Sequence, residues 1–586
     1  MKISSIPSAQ LTVESCRAYG IKHIIISPGS RSAPLALSFT SHSDFECHSV
    51  VDERSAAFFA LGIAQQLKAP VALLCTSGSA VLNYLPAIAE AYYSTIPLLV
   101  LSADRPTYRI DIGDGQTIRQ EQVMAKFTSF SGALMQDVSH ATESILMSNR
   151  QQLLHSEEEV KRLQPKQKQA NIEILHQALS KLWDDRLPVH LNIPFEEPLY
   201  HLKTSTVAPI QKRSSLPSKI DQNKLDELQA DYSKANKVLI LVGVLEPNDS
   251  LREHIQKLAQ RPDTLVFSES LSNLKLSEAI ENIDVLIAPL EIHKNSKDYF
   301  QKLQPEVLIT LGGLVVSKKI KKFLRRYPPQ KHYHLGNTPA YDTYFRDVHA
   351  LQGELEKLLS TLNPTSDAAS TYRLIGQQHM KRHQEKHLQY IKKLPFSDFH
   401  VFYKLWKKIP NNYQLHLSNS STVRYAQLFD SKPLGLMFCN RGTSGIDGSI
   451  STALGAAQVN NSPTLCITGD LSFFYDSNAL WKNGCPPDMR IIIINNQGGG
   501  IFRILPETIK DRLFETYFET QHQLQAKYLA RMHGWGYSSA KNSWQLDGRL
   551  KRFFKSSQRP KILEIFTPNQ TNPKILSSYF KYLAQH

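Results

Sequence analysis

Apolar strand patterns alternate with amphipathic helix patterns along the first third of the chain, and this alternation constrains the fold more than any other feature. The apolar runs 21–27, 71–77 and 97–104 have the length of buried strands, and helical spacing is present at 52–67 and 80–93. Strands that alternate with helices form a mostly parallel sheet covered by helices on both faces. The pattern therefore predicts a doubly wound α/β domain.

The same alternation returns twice, after polar segments at 201–223 and 361–395 that are typical of linkers. Predicted strands lie at 237–244, 264–270, 284–289, 306–313, 413–419, 435–441, 464–470, 490–496 and 561–567. We expect an α/β protein with three doubly wound parallel-sheet domains. Their predicted bounds are 1–200, 224–360 and 396–586.

Composition narrows the class of protein. The chain has 586 residues and 41% hydrophobic content, enough for several cores. It contains no apolar run of about 18 residues, the length needed to cross a membrane. The N-terminus "MKISSIPSAQ" lacks the apolar core of a signal peptide. The six cysteines are scattered without a CxxC pair, so we expect reduced thiols and a cytoplasmic protein.

The formal net charge of +15 permits several kinds of partner. Nucleic acid, an anionic membrane surface and anionic small molecules all suit a basic protein. The Lys and Arg residues are dispersed, and their densest cluster, at 317–331, has the spacing of the solvated side of a helix. We expect no nucleic acid partner and no stable membrane insertion, although a noncatalytic basic binding protein stays open as an alternative.

Two strand ends in the last third carry oxygen ligands. "TLCITGD" ends at Asp470, and a later strand ends at Asn495–Asn496 before the glycine-rich "QGGG" at 497–500. A carboxylate, a carboxamide and a backbone carbonyl, expected at Gly498, suit Mg²⁺ or Mn²⁺. One carboxylate does not neutralise a divalent cation, so a bound diphosphate is the expected partner. The alternative is two ordinary strand ends with turn-forming residues.

The Gly-Asp and Asn-Asn pair resembles the motif of thiamine diphosphate enzymes. The resemblance implies that Glu53, in "DERSAAFFALG", supplies the carboxyl group that hydrogen-bonds to the pyrimidine ring of this cofactor. It also implies that Ile446, in "NRGTSGIDG", supports the bent cofactor. The order of the motifs matches a pyrimidine-binding, a middle and a diphosphate-binding domain.

Within this superfamily the chain resembles the synthases of menaquinone biosynthesis that join 2-oxoglutarate to isochorismate. The motifs that carry the resemblance are "SPGSRSAPLAL" (27–37), "DERSAAFFALG" (52–62), "SADRP" (102–106), "GQTIRQ" (115–120), "NSSTVR" (419–424), "NRGTSGIDG" (440–448), "GDLSFFYD" (469–476) and "NNQGGGIF" (495–502).

This resemblance implies a transferase that decarboxylates 2-oxoglutarate and adds the succinyl-semialdehyde carbanion to isochorismate in a 1,4 sense. It also implies at least a homodimer, and a homotetramer as the expected assembly. Another thiamine diphosphate decarboxylase or carboligase, such as an acetohydroxyacid-type synthase, is the alternative.

Both implied substrates are dianions, and arginine binds carboxylates in a bidentate manner. The predicted catalytic residues are Glu53 and Gln116. The predicted cofactor ligands are Glu53, Ser420, Ile446, Gly469, Asp470, Ser472 and Asn496, with Asp470, Asn496 and Gly498 on the metal. The predicted substrate-binding residues are Ser30, Arg31, Arg105, Gln116, Lys318, Arg424, Arg441, Ile501 and Phe502.

The chain departs from the family pattern in two places. Asp114 and Gly115 stand beside Gln116 where relatives commonly have Ala-Asn, which adds a negative charge and removes an amide. Lys319 follows Lys318 where the family often has arginine, so bidentate geometry is lost at that position.

Overall fold

A computed structural model describes residues 2–148, 153–204, 211–212, 220–366, 368–504 and 512–585. The chain forms two compact units. Unit 1 comprises residues 1–216, 450–461 and 476–486, and unit 2 comprises residues 217–449, 462–475 and 487–586. Much of the predicted linker 201–223 lies outside the described residues.

The strands, in chain order, are β1 (Lys2–Ser4), β2 (His23–Ile26), β3 (Glu46–Ser49), β4 (Val71–Cys75), β5 (Leu98–Asp104), β6 (Phe130–Ala133), β7 (Val189–Pro194), β8 (Leu202–Thr204), β9 (Val238–Val242), β10 (Thr264–Ser268), β11 (Val307–Leu311), β12 (Lys331–Leu335), β13 (Val348–Leu351), β14 (Gln414–Leu417), β15 (Met437–Phe438), β16 (Thr464–Gly469), β17 (Arg490–Asn495), β18 (Gly536–Ala540) and β19 (Lys561–Phe566).

The helices, in chain order, are α1 (Pro7–Ala18), α2 (Ala33–Thr40), α3 (Glu53–Leu67), α4 (Ala80–Asn83), α5 (Leu85–Ser94), α6 (Thr142–Leu146), α7 (Val160–Asp184), α8 (Gln222–Lys234), α9 (Asp249–Leu258), α10 (Ile283–Ile292), α11 (Ser296–Leu303), α12 (Lys318–Arg326), α13 (Leu355–Ser360), α14 (Tyr372–Ile391), α15 (Asp398–Trp406), α16 (Ser421–Ala426), α17 (Ser449–Val459), α18 (Asp470–Tyr475), α19 (Arg512–Phe514), α20 (Lys527–Met532), α21 (Ser543–Phe553) and α22 (Asn572–Ala584).

Unit 1 is organised by a parallel sheet with the strand order β3-β2-β4-β5-β7-β6. Every residue of the inner strands β4 and β5 is buried, as expected for a parallel sheet that helices cover on both faces. A short antiparallel pair, β1 with β8, lies outside this sheet. The predicted helix 80–93 is divided into α4 and α5, and Pro86 stands in the first turn of α5, where proline is tolerated.

Unit 2 contains two further parallel sheets, with the orders β10-β9-β11-β12-β13 and β15-β14-β16-β17-β19-β18. The predicted α/β class with three parallel sheets is confirmed. The predicted strand 284–289 is wrong, because this apolar run forms α10. A short buried apolar run has no periodicity that separates a strand from a buried helix.

Close helix packing within unit 1 depends on two glycines. A Cβ atom on Gly62 of α3 would lie 2.0 Å from the carbonyl oxygen of Thr452, and one on Gly455 of α17 would lie 1.9 Å from that of Phe59. Neither position admits a side chain without separating the helices.

Each of the six cysteines carries a thiol rather than a disulfide bond. Among the described helices, none combines the length and the apolar character that crossing a lipid bilayer requires.

Buried histidines make the stability of the protein sensitive to acid. His416 on β14 is buried, and its Nε2 lies 2.9 Å from the Gln414 amide nitrogen, so the imidazole accepts this hydrogen bond and is neutral. Burial lowers the pKa of His416 to about 3. As the pH falls, His416 in the unfolded chain takes up a proton before His416 in the folded protein does. The contribution of this histidine to stability is therefore present above about pH 6.5 and lost below it.

We expect His416→Gln to reduce this acid sensitivity. Between pH 7 and pH 5 the wild-type histidine accounts for about 2 kcal/mol of lost unfolding free energy. Glutamine keeps an acceptor and does not titrate, so the loss should shrink by about that amount. Urea denaturation at the two pH values measures it, with the exposed His201→Gln as the control. An equal pH dependence in wild type and His416→Gln would contradict the assignment.

Candidate active site

The carboxyl ends of β16 and β17 bring the predicted oxygen ligands together in unit 2. These strands are parallel neighbours, and Gly469 pairs with Ile494, so Asp470 and Asn495 leave the sheet at the same level. The loop after β17 then turns back over Asp470, because the Gly498 N–H donates to the Asp470 Oδ2 at 3.0 Å. We call Asp470, Asn496 and Gly498 the strand-end cluster.

The strand-end cluster has the donors that a hard cation needs. Asp470 and Asn496 are 3% and 7% exposed. The Asn496 Oδ1 is buried and has no hydrogen-bond partner among the described residues. An unpaired buried carbonyl oxygen costs free energy that a cation would recover. The space beside Gly469 is open, since a Cβ atom there would meet no atom within 4 Å.

The glycine-rich loop needs glycine at position 498. Its φ is 152°, and a Cβ atom there would lie 2.8 Å from the Glu519 carbonyl oxygen. The Gly499 N–H donates to that same oxygen at 2.6 Å. The Gly498 carbonyl accepts from the Gly500 N–H at 2.9 Å and keeps a second lone pair. Its role as a metal ligand stays a prediction.

Asp398, at the start of α15, positions the Asn496 amide, and the sequence analysis did not identify it. Its carboxylate accepts from the Asn496 Nδ2 at 3.0 Å and from the Thr567 Oγ1 at 2.5 Å. Burial raises the pKa of Asp398 to about 6, and these hydrogen bonds oppose the rise. Because the Asn496 Nδ2 donates to Asp398, the Asn496 Oδ1 points away from Asp398. This oxygen is therefore the atom of Asn496 that can bind a metal ion.

We expect Asp398→Ala to weaken Mg²⁺ binding at the strand-end cluster by about 10–100-fold, the usual effect of removing a partner that orients a ligand. The amide of Asn496 then loses the acceptor that sets its orientation. The measurement is the Mg²⁺ concentration needed for half-maximal thiamine diphosphate binding. Thr567→Val, which removes the other hydrogen bond to Asp398, is the control and should have the smaller effect. Equal Mg²⁺ requirements in Asp398→Ala and wild type would exclude this positioning role.

The residues that follow β14 lie beside the strand-end cluster. Ser420 has a φ of 69°, a conformation that is uncommon for a residue with a side chain and is often found at functional sites. The Asn419 side chain holds the neighbouring loop, donating to the carbonyls of Asn440 and Gly445 at 2.7 Å each. The Ser472 Oγ donates to the Ile446 carbonyl at 2.9 Å. Ser472 and Ile446 therefore lie together, as do Asp470 and Asn496.

Two arginines and two buried acidic residues lie together in unit 2. Arg441 donates to the Asn419 Oδ1 at 2.6 Å, and the Nε atoms of Arg424 and Arg441 are buried without a hydrogen-bond partner among the described residues. Glu269 and Asp284 carry the compensating charge, since Glu269 interacts with Arg441 and Asp284 with Arg424. Burial raises the pKa of both carboxyl groups.

The basic helix α12 carries Lys318, whose role in substrate binding stays a prediction, and a second lysine that lies near the arginines. Lys318 is exposed, and Lys319 pairs with Glu291 at 2.5 Å. Lys321 is half-buried, and its pKa is lowered by burial first and then by Arg441. It is therefore the α12 lysine that the arginines influence. Its place next to Ile320, on the buried stripe of α12, was the available sequence signal.

The half-buried 3-10 helix Gly500–Ile504 carries Ile501 and Phe502 directly after the glycine-rich loop. The Phe502 ring lies edge-on to Phe518, with the centroids 6.4 Å apart. Ile501 and Phe502 therefore add apolar side chains close in sequence to the strand-end cluster.

In unit 1, Glu53 begins α3. The Asp52 side chain caps the helix by accepting from the Ser55 N–H at 2.8 Å, and the Glu53 carboxyl accepts a hydrogen bond from its own backbone N–H. Burial raises the pKa of Glu53, and neighbouring Asp52 adds to the rise. A partly buried carboxyl group with a raised pKa suits proton transfer.

Two arginines of unit 1 lie close to one another. Arg31 is 3% exposed, and it donates to the Phe195 carbonyl and to Glu197 at 3.0 Å each. Burial lowers the pKa of Arg31, and Arg105 lowers it further. The Arg105 Nε is buried without a hydrogen-bond partner among the described residues. Adjacent guanidinium groups favour an anionic ligand.

Ser30 and Gln116 are exposed in unit 1, and Gln116 has a φ of 56°. A Cβ atom on Gly78 would lie 3.4 Å from the Gln116 carbonyl oxygen, so the loop carrying Gln116 lies over the turn after β4. Asp114, one of the departures from the family pattern, lies 3.5 Å from Arg109. The added negative charge is thus partly offset within unit 1.

Comparisons with known proteins agree with these features. The family model described as "Thiamine pyrophosphate enzyme, N-terminal TPP binding domain" matches residues 8–126, and the one described as "Thiamine pyrophosphate enzyme, C-terminal TPP binding domain" matches residues 420–565.

Curated relatives match along the whole chain. A protein of Christiangramia forsetii is 44% identical over 100% of both chains, and one of Flavobacterium psychrophilum is 45% identical over 99% of both. A protein of Porphyromonas gingivalis is 37% identical over 96% of this chain and 95% of its own. All three are named 2-succinyl-5-enolpyruvyl-6-hydroxy-3-cyclohexene-1-carboxylate synthase.

Proposed function

Because this chain belongs to the family of 2-succinyl-5-enolpyruvyl-6-hydroxy-3-cyclohexene-1-carboxylate synthases, we propose that it decarboxylates 2-oxoglutarate and joins the remaining four-carbon fragment to isochorismate. One CO₂ is released per product formed, and the new bond is a carbon–carbon bond made by 1,4-addition. This reaction belongs to menaquinone biosynthesis and needs thiamine diphosphate with Mg²⁺ or Mn²⁺.

The observation that carries the proposal is the buried Asn496 Oδ1, which has no hydrogen-bond partner among the described residues, in the same loop as Gly498, whose N–H donates to Asp470. The Asn496 Oδ1, the Asp470 carboxylate and the Gly498 carbonyl would hold a divalent cation, whose positive charge would offset the negative charge of a bound diphosphate. When bound, thiamine diphosphate supplies the stabilisation of the carbanion that decarboxylation leaves. Ile446 would support the cofactor from the loop that Asn419 holds.

Residues of unit 1 would hold the proton that is shared with the cofactor and would bind one substrate. Glu53 would hold a proton on its carboxyl group and share it with the pyrimidine ring. Gln116 would orient the substrate by hydrogen bonds. Arg31 and Arg105, with Ser30, supply positive charge and a hydroxyl donor for a carboxylate.

The residues of unit 2 would bind the second carboxylate-bearing group. Arg424 and Arg441 each have a buried Nε without a hydrogen-bond partner among the described residues, and Lys321 adds a third cation. Dianionic substrates therefore fit the site better than pyruvate, the donor of the acetohydroxyacid-type alternative.

A coupled assay tests this function. Purified protein is given 2-oxoglutarate and isochorismate with and without thiamine diphosphate and Mg²⁺, and both CO₂ and the joined product are measured. We expect product only when all four are present. Pyruvate replaces 2-oxoglutarate in the control, and a higher kcat/KM for pyruvate would favour the acetohydroxyacid-type alternative.

We also propose that the working protein is at least a homodimer, and that it assembles as a homotetramer. Glu53 belongs to unit 1 and Asp470 to unit 2, and in this superfamily two subunits each supply one of the two motifs to a cofactor. Sedimentation velocity with and without thiamine diphosphate measures the assembly, and an active monomer would rule it out.

A further inference from the structure

Three side chains with metal-binding chemistry lie together at the edge of the unit 1 sheet. They are His23 of β2 and Glu46 and His48 of β3, and one donor atom from each lies within 4.8 Å of the other two. The proposed reaction uses none of them. We propose that this group, here called the His-Glu-His cluster, binds a divalent transition-metal ion, with zinc as the best fit.

The strand register places the three side chains on one face of the sheet. In the parallel ladder of β2 and β3, His23 pairs with Glu46, and His48 follows two residues later. Side chains two residues apart on a strand point to the same face. The Cys47 side chain, between them, packs against the core on the opposite face. His48 lies edge-on to Phe59 of α3, with ring centroids 5.7 Å apart.

The donor atoms are close to the spacing that zinc requires. The His23 Nδ1 lies 3.6 Å from the Glu46 Oε2. A tetrahedral zinc ion bound through nitrogen and oxygen at its usual distances needs donors about 3.4 Å apart. The rings of His23 and His48 are stacked, with centroids 5.9 Å apart and planes inclined by 11°. The three donor atoms lie within 4.8 Å of one another, so metal binding would draw the side chains together to the tetrahedral spacing.

The two imidazoles have nitrogen atoms that no other described group satisfies. His23 is 7% exposed, and neither its Nδ1 nor the His48 Nε2, both buried atoms, has a hydrogen-bond partner among the described residues. Buried polar atoms are nearly always hydrogen-bonded, and an exception calls for a cause. A metal ion at this position would satisfy both nitrogens.

The charge state of the cluster suits a metal. Glu46 is exposed and supplies a negative charge. Lys482 is a cation near His48, 5.1 Å from the centroid of the Phe59 ring that His48 contacts, and its ammonium group donates to the Gln458 Oε1 at 3.2 Å and to the Asn483 carbonyl at 3.0 Å.

Two imidazoles and one carboxylate favour zinc over Mg²⁺ or Ca²⁺, which prefer oxygen ligands throughout. Three protein ligands leave a position for water. The ion would tie the edge strand β3 to β2, a few residues before α3 begins. This site is separate from the strand-end cluster and does not depend on the proposed function.

Zinc binding to the full-length protein tests the proposal. Metal-free protein is saturated with thiamine diphosphate and Mg²⁺, then titrated with ZnCl₂ against a chromophoric chelator. We expect one zinc per chain, and an increase in Kd of about 100-fold for Glu46→Gln and for His48→Gln. Glu46 is exposed, so Glu46→Gln preserves the fold, which circular dichroism checks. His42→Gln is the control, since His42 lies outside the His-Glu-His cluster, with its Nδ1 3.8 Å from the Asp44 carboxylate.

Cobalt provides the second measurement. Co²⁺ in the cluster should give visible absorption bands typical of low coordination, and Glu46→Gln and His48→Gln should lose them while His42→Gln keeps them. Equal zinc affinity in wild type and the two cluster variants would overturn the proposal. So would an absence of bound zinc at micromolar concentration in the folded wild-type protein.

Discussion

Glu53→Gln is expected to lower turnover by about 10²–10⁴-fold, the usual contribution of a positioned acid–base group. Glutamine keeps the size of the side chain and one hydrogen-bond acceptor, but it neither holds nor gives up the proton. Burial raises the pKa of the Glu53 carboxyl group, which matches that group to proton transfer. The affinity for thiamine diphosphate should change far less than turnover.

Turnover is measured as CO₂ release at saturating 2-oxoglutarate and isochorismate, and cofactor binding by fluorescence quenching. The matched control is Glu143→Gln, which removes an exposed carboxylate from the first turn of α6 in the same unit. Glu53→Asp restores a carboxyl group on a shorter side chain and should recover part of the activity. Near-normal turnover in Glu53→Gln would remove the proton role from this residue.

Asp470→Asn is expected to raise the Kd for thiamine diphosphate in the presence of Mg²⁺ by about 100-fold or more, because even orienting partners of a metal ligand contribute 10–100-fold. The substitution keeps the shape of the side chain and an acceptor for the Gly498 N–H. It removes the negative charge of the carboxylate, which would attract the cation. It should also abolish most of the dependence of binding on Mg²⁺.

Isothermal titration with thiamine diphosphate at several Mg²⁺ concentrations measures this effect. Asp488→Asn, at an exposed position ahead of β17, is the control and should bind as the wild type does. If Asp470→Asn and wild type show the same Mg²⁺ dependence, the metal assignment is wrong. A zinc titration of Asp470→Asn should still give the zinc stoichiometry of the wild type, because the His-Glu-His cluster lies in the other unit.

The positions of Asp470 and Asn496 at neighbouring strand ends could be predicted from local sequence alone. An apolar run that ends in Gly-Asp, and another that ends in Asn-Asn, place polar groups at the carboxyl ends of parallel strands, where ligands bind in such sheets. Glu53 was predictable from its motif. The α/β class followed from the alternation of patterns, which requires no knowledge of distant contacts.

Contacts between distant parts of the chain could not be predicted in this way. Asp398 meets Asn496 only because the tertiary structure brings the start of α15 to the residue that follows β17, and no local pattern distinguishes Asp398 from other helix-starting acids. Lys321, rather than Lys318, interacts with Arg441 because of how α12 is rotated about its axis. The apolar run 284–289 forms part of α10, since burial on all sides suits a helix as well as a strand.

The sequence by itself therefore determined the fold class, the family and the residue types at each strand end, because these depend on periodicity and short motifs. Only the tertiary structure decided the orientation of the Asn496 amide and the choice among the lysines of α12. It alone also placed His23 beside Glu46 and His48. Strand order, register and helix rotation set those arrangements, and they follow from packing between segments far apart in the chain.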